Sequence, residues 1–399
     1  MRLRALLLCA LTSSAVAVPG ASAQYPEACF PAVDGVSRRA LISLAPSAER
    51  DVLALVRAAG GRVGARLEPL GVRAVELPSA GVRDALLPRL RTVPGVVAAE
   101  PDAVVTAHRK PNDPYARSQW AIGKTGLSRA WDVTTGTAAV TVAVIDTGVA
   151  AAHPDLKGKV LAGIDVVNGD EDADDDHGHG THVAGTVAAA TNNRRGVSGV
   201  AWGAKVLPVK VLGANGSGTS CDVLAGMVEA VKRGADVLNL SLGFASVCPV
   251  AYRLATEYAA QQKSLVVASS GNDAAQGGPT SAPANCTGVL GVGATDSKDL
   301  PATFSTFGAA VDVSAPGVDI VSTTVNPKKR TYGYGEMSGT SMAAPHVAGL
   351  AALVRSKHPD WTPQQVSDAI VQTADDKGAK GRDDFYGAGR INAARALAL

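Results

Sequence analysis

From residue 139 onward, short apolar runs alternate with longer stretches of helical period, and that alternation restricts the fold. The runs at 139–145, 205–212, 237–242, 265–268 and 289–292 are continuously apolar or nearly so. Their length and lack of a polar face mark buried strands. Helix-like stretches at 181–190, 221–233, 250–263, 342–357 and 363–373 fall among or after them. Strands buried on both faces and separated by helices predict an α/β fold: a mostly parallel sheet with helices on both sides. In such sheets, functional residues gather beyond the carboxyl ends of the strands.

The chain before residue 111 is organised differently. Arg2 and Arg4, an apolar stretch at 5–11 and Ala21-Ser22-Ala23 form a secretory signal pattern over 1–23, with cleavage after Ala23. The apolar stretch is too short to span a membrane, and no later segment reaches the required 18 to 20 or so apolar residues. A secreted protein with no membrane association after signal removal is expected. Strand-like runs at 40–44 and 72–77 are each followed by a helix-like stretch, at 51–59 and 81–91. A last strand signal lies at 96–100, and Gly60-Gly61 and Pro94-Gly95 supply turns. This order predicts a small α+β, ferredoxin-like domain over about residues 36–107. An ordinary N-terminal subdomain would look the same. The formal net charge of +2 and the lack of a basic run beyond Lys328-Lys329-Arg330 argue against a nucleic-acid binder.

Three segments carry the chemistry. Val-Ile-Asp-Thr-Gly ends at Gly148 and holds Asp146, His-Gly-Thr-His-Val-Ala-Gly runs from His179, and Gly-Thr-Ser-Met-Ala-Ala-Pro-His holds Ser341. A serine becomes a nucleophile when a base takes its proton. Ser341 stands between Gly339-Thr340 and an apolar helix-like stretch, so its N–H points near a helix N-terminus that favours developing negative charge. Pro345 is expected in the first turn of that helix, where proline is tolerated. Asp146 at a strand end would hold an imidazole in one tautomer and stabilise its charged form. Each motif has a plain alternative: a turn feeding a helix, or an Asp at a strand end. His177, His179 and His182 with Asp174 to Asp176 also raise a zinc site, although the zinc-peptidase signature is absent. The aspartic-peptidase reading of Asp-Thr-Gly lacks a second copy. The esterase reading lacks Gly-x-Ser-x-Gly around Ser341.

Together, in the order Asp, His, Ser, the motifs resemble the subtilisin-like serine peptidases, of the thermitase or proteinase K-like secreted bacterial type. The resemblance covers nearly everything after Ala23. It implies a serine endopeptidase acting on protein or peptide substrates, with His179 as base and Ser341 forming the acyl-enzyme. Asn272, closing Ser-Ser-Gly-Asn, would donate to the oxyanion. Gly216, Ser217, Gly218 and Ser241, Leu242, Gly243 match the two edge segments that hold substrate as an added strand. No lone acid or base fills the primary pocket, so an apolar or broad preference is expected. Residues 24–110 resemble the propeptide that inhibits the enzyme and aids its folding, cut off by the enzyme itself near His108 to Lys110. They carry 12 basic and 9 acidic side chains, against 24 and 27 in the peptidase domain at 111–399. Opposite signs favour docking. A monomer is expected. A silent relative that only binds peptides is the alternative, and the intact set Asp146, His179, Asn272, Ser341 argues against it.

The same resemblance implies calcium, with side-chain oxygens from Asp113, Asp155 and Asn193 and carbonyls from Ala190, Arg195 and Val197. Separately, Asp165, Asp170, Asp172 and Asp174 form an acidic loop whose mutual repulsion a cation would relieve. A solvated loop is the alternative. Of five cysteines, Cys9 leaves with the signal peptide, Cys29 lies outside the catalytic domain, and Cys221, Cys248 and Cys286 remain. Cys248 and Cys286 resemble a pair bonded in many secreted bacterial relatives; Cys221 with Cys248 is the other option.

Overall fold

The computed structural model describes residues 30, 36–103, 110–278 and 281–399. The expected signal peptide, Cys29, and His108 and Arg109 of the expected cleavage stretch lie outside the described residues. The chain divides into two units between Thr106 and Ala107.

The first unit runs β1 (Arg39–Leu44), α1 (Glu49–Ala58), β2 (Arg62–Leu67), β3 (Val72–Glu76), α2 (Ala80–Arg91) and β4 (Val96–Pro101). Its sheet is antiparallel in the order β2-β3-β1-β4. Ile42 and Val75 from the sheet pack with Val52, Val56, Leu86 and Leu90 from the helices. This βαββαβ order is the ferredoxin-like one. Strand β2 was not expected from the sequence. Its Arg-Val-Gly-Ala-Arg-Leu lacks an apolar face, none of its residues is fully buried, and it lies at the sheet edge. Pairing with β3 and ion pairs from Glu49 to Arg66 and Arg73 hold it instead.

The second unit begins with two short helices, α3 (Trp120–Lys124) and α4 (Leu127–Val133). It continues through β5 (Thr141–Asp146), β6 (Ile164–Asp165), α5 (His179–Ala188), β7 (Lys205–Lys210), α6 (Ser220–Lys232) and β8 (Val237–Leu240). Then come β9 (Phe244–Ala245), α7 (Val250–Gln261), β10 (Leu265–Ser269), β11 (Ser281–Ala282), β12 (Val289–Thr295) and β13 (Val313–Pro316). A hairpin of β14 (Ile320–Asn326) and β15 (Thr331–Met337) precedes α8 (Thr340–Lys357), α9 (Pro363–Gln372) and α10 (Ala393–Ala396).

Seven strands form a parallel sheet in the order β13-β12-β10-β8-β5-β7-β6. The two-residue period of β5 explains its burial on both faces. Val142 and Val144 pack with α5 and α8, while Ala143 and Ile145 pack with α6 and α7. The chain leaves β5 toward β7 on one side and later returns to β8 on the other. Strand order therefore reverses at β5, and a crevice opens beyond its carboxyl end. Asp146 is the residue at that end.

The longer strands and helices lie close to the expected positions. Strands β6 and β13 and the β14–β15 hairpin went unanticipated: β6 is two residues long, and Thr-Tyr-Gly-Tyr-Gly-Glu-Met in β15 has no buried face. Cys248 and Cys286 form a disulfide, and Cys221 is a free, exposed thiol.

Candidate active site

Asp146 is fully buried. Its Oδ1 accepts from Thr147 N–H at 2.7 Å and lies 2.7 Å from His179 Nδ1. A charge buried this deeply needs such partners. With the proton on Nδ1, the ring donates to Asp146 and leaves Nε2 as the basic nitrogen. His179 opens α5, and the close approach of that helix to the Asp146 turn depends on Gly180. A Cβ there would stand 2.1 Å from the Gly148 carbonyl.

Asp175 completes this corner and was missed in the sequence. It is buried, and its Oδ1 accepts from Thr147 Oγ1 at 2.8 Å and from the N–H groups of His177 and Gly178. Its Oδ2 accepts from Thr181 N–H and Oγ1. Thr147 Oγ1 in turn accepts from Gly180 N–H at 2.9 Å. The turn bearing His179 is thus tied to the strand end bearing Asp146. Nothing in the Asp174-Asp175-Asp176 run distinguishes the middle residue except its burial.

Burial works against a charge on His179. The Asp146 carboxylate and its hydrogen bond, with Asp175 beyond, outweigh it and raise the imidazole pKa above its ordinary 6.5. The interior histidines go the other way: burial pushes both His182 and His346 down to about 4. His182 Nε2 faces the carbonyls of Ile320 and Gly335, while His177 lines the cleft and stands 6.4 Å from His179, ring to ring. The three histidines diverge. Among the described residues, no three or more His, Cys, Asp or Glu side chains are grouped as zinc ligands would be.

Ser341 is the second residue of α8. Its hydroxyl donates to the Ser241 carbonyl at 3.0 Å, and His179 and Ser341 share no hydrogen bond here. Such bonds often tighten only when substrate is bound. Pro345 differs from expectation: it is the sixth residue of the helix, not in the first turn. It removes the N–H that would reach the Ser341 carbonyl. Ser241 Oγ donates to that carbonyl instead, at 2.8 Å, so the helix tolerates its proline.

Asn272 follows β10. Its Oδ1 accepts from both Thr340 N–H and Thr340 Oγ1 at 2.9 Å. Two donors on one side identify that atom as oxygen and leave the Nδ2 end beside Gly339 free to donate. Thr340 was not singled out in the sequence. Its role depends on a contact across 68 residues.

One cleft of about 500 Å³ gathers His179, Ser341 and both edge segments, Gly216-Ser217-Gly218 and Ser241-Leu242-Gly243. Leu212, Val223, Phe244 and Tyr252 also line it, and none of the described residues lining it is Asp, Glu, Lys or Arg.

The residues expected to bind calcium lie on segments joined by hydrogen bonds. Asp113 accepts from Asn192 N–H, Asn193 N–H and Ser198 Oγ at 2.9–3.1 Å. Asp155 accepts from Asn193 Nδ2 at 2.8 Å and Val197 N–H at 3.0 Å, and its carbonyl from Ala190 N–H at 2.7 Å. Arg195 N–H donates to Asn193 Oδ1 at 2.8 Å. Two buried carboxylates and the Asn193 amide have the oxygen chemistry of a hard-cation site, while the bonds at Ala190, Arg195 and Val197 are made by their N–H groups. The acidic loop is different. Asp165, Asp172 and Asp174 border a cavity of about 230 Å³ with Lys210 and Arg330, and Asp170 is not among its lining residues. Asp165 is met by Asn168 N–H and Nδ2, Asp170 by Asp172 N–H, and Asp172 by Asp174 N–H. The four do not form one cage.

In Ser341→Ala, nitrogen-detected NMR titration is expected to show His179 protonating above pH 6.5, with His182 and His346 neutral down to about pH 4. A His179 titration below 6.5 would contradict the pairing with Asp146.

Residues 137–389 match the subtilase family model. The chain is 44% identical over 315 residues to a thermophilic serine proteinase of Bacillus sp. (strain AK1), covering 79% of this chain and 76% of that protein. It is 42% identical to thermitase of Thermoactinomyces vulgaris, over 72% of this chain and 99% of that protein. Among solved structures, a protease of Pseudoalteromonas arctica PAMC 21717 superposes with a TM-score of 0.67 at 34% identity, covering 73% of this chain and 99% of that one. The chain belongs to the subtilase family and is a serine endopeptidase.

Proposed function

We propose that the protein is a secreted subtilase made as a self-processing zymogen, with Asp146, His179, Ser341 and Asn272 as its catalytic residues. The observation that carries the assignment is the 2.7 Å bond from His179 to a buried Asp146, in the cleft that also holds Ser341. Peptide substrate lies as an added strand between segments 216–218 and 241–243. The Ser341 hydroxyl leaves the Ser241 carbonyl, passes its proton to His179 Nε2 and attacks the scissile carbonyl. Asn272 Nδ2 and the Ser341 N–H, in the first turn of α8, stabilise the oxyanion; losing one such donor costs about 10²–10³ in turnover, a magnitude known from subtilisin. His179 returns the proton to the leaving amine, and water then releases the acyl group from Ser341. Asp146 keeps the Nδ1 tautomer and stabilises the imidazolium. The uncharged lining of the cleft supports an apolar or broad side-chain preference.

Residues 24–110 act as propeptide, inhibitor and folding aid, and the enzyme cuts them off near His108 to Lys110. The mature enzyme is an extracellular monomer. Among the described residues no helix is long and apolar enough to cross a membrane. Calcium is held by Asp113, Asp155, Ala190, Asn193, Arg195 and Val197, where it offsets two buried carboxylates. The acidic loop is not assigned an ion.

Intact masses of secreted wild type and Ser341→Ala test the zymogen reading. Wild type is expected to begin near residue 109–113, and the variant to stay joined to its propeptide. The same first residue in the two would overturn self-processing. For calcium, chelation of Ser341→Ala is expected to lower its melting temperature, with Ca²⁺ restoring it. At a concentration 100 times Kd, bound ion stabilises by about 2.7 kcal/mol. Asp155→Asn is expected to lose this response, and an unchanged melting temperature on chelation would remove the site.

A further inference from the structure

We propose that Lys210 is a positioning residue for the catalytic pair, its buried ammonium holding the three segments that build the cleft. The inference rests on the endopeptidase reading above.

Lys210 closes β7, where its Cα pairs with Asp146 of β5 on one side and Asp165 of β6 on the other. Its side chain is only 2% exposed. Nζ donates to the Thr147 carbonyl at 2.8 Å, the Leu212 carbonyl at 2.7 Å and Asp176 Oδ1 at 2.7 Å. An ammonium has three protons, so each is used. The acceptors belong to the turn after Asp146, the edge that continues to segment 216–218, and the loop that leads into His179. A buried lysine is costly unless paired and fully bonded, and this one is. A neutral apolar side chain would leave two carbonyls and a carboxylate unmet, and the three segments free to shift. A displacement of about 1 Å at a reacting group can cost about 10²-fold in rate.

The charge gives a second signature. Beside His179 stand Asp146 on β5, Asp175 and His177 on the preceding loop and His182 on α5; Lys210 reaches this corner through the Thr147 carbonyl, and shares a cavity with Asp165, Asp172, Asp174, Asp175, Asp176 and Arg330. A nearby cation opposes protonation of the imidazole, and a carboxylate favours it. Removing Lys210 both deletes a cation and frees Asp176, so the two changes act in the same direction. His179 then holds its proton to higher pH. Because the base works only when neutral, the acid limb of kcat/KM moves up in pH.

The test uses full-length chains expressed with their propeptide and matured in calcium, assayed on a chromogenic tetrapeptide anilide across pH. Lys210→Met is expected to lose 10- to 100-fold, roughly, in kcat/KM and to shift the acid limb upward. Lys210→Arg, which keeps the charge and donors, is expected to restore the limb and most of the activity. If Lys210→Met does not fold, Lys210→Gln replaces it: it donates two bonds without the charge, and the limb shift should persist. A folded neutral variant with wild-type kcat/KM and pH profile overturns the proposal. So does a change in melting temperature alone, or folding of Lys210→Arg when neither neutral variant folds, since Lys210 would then serve stability. If wild type cleaves no peptide, the endopeptidase reading fails instead.

Discussion

A carboxylate with no access to water, Asp146, sets conditions that much of the second unit meets. Buried charge is unfavourable unless hydrogen bonds replace the lost solvent. Here the replacements come from Thr147 N–H and from His179. Bringing the imidazole to that point requires the start of α5 to press against the Asp146 turn. Gly180 permits the approach, and Asp175 and Thr147 lock it. The sheet supplies the rest. Strand order reverses at β5, so the segments after β7 and β8 pass on opposite sides of its end and become the two walls of the cleft.

The same environment separates the histidines by task. His182 and His346 lie in the interior with backbone carbonyls as partners, and burial keeps them neutral near physiological pH. His179 is partly buried, and a facing carboxylate reverses the balance. Desolvation alone would make a weaker base; the Asp146 pairing favours proton uptake from serine. On the other side of the nucleophile, Ser241 and Thr340 act through the backbone. Ser241 meets the carbonyl freed by Pro345, and Thr340 turns the Asn272 amide so that its nitrogen stays free.

Asp146, His179 and Ser341 were singled out because each stands in a short motif, and Asn272 through the resemblance those motifs carry. The parallel sheet was legible because strands buried on both faces leave continuous apolar runs. Asp175, Thr340 and Lys210 carried no such signal. Their more distant partners lie up to 69 residues away in the chain, and only the fold brings those together. Pro345 was placed too early in its helix because the side chain that compensates for it, Ser241, comes from another strand end. The acidic loop was read as one cluster from sequence proximity; its turn pairs Asp165 with Asp170, Asp165, Asp172 and Asp174 border one cavity, and backbone donors meet Asp165, Asp170 and Asp172. Edge strand β2 and the β14–β15 hairpin lack an apolar period because pairing, more than burial, holds them.

The central claim is that Asp146 and His179 activate Ser341 as a nucleophile. The most direct measurement is labelling of the native, matured protein with a fluorophosphonate, followed by peptide mass mapping. The account predicts one adduct, on Ser341, lost on prior denaturation and strongly slowed in His179→Ala whose propeptide has been removed by an added metalloprotease. Absence of label on a folded protein, or an adduct on another residue that persists in His179→Ala, would contradict it.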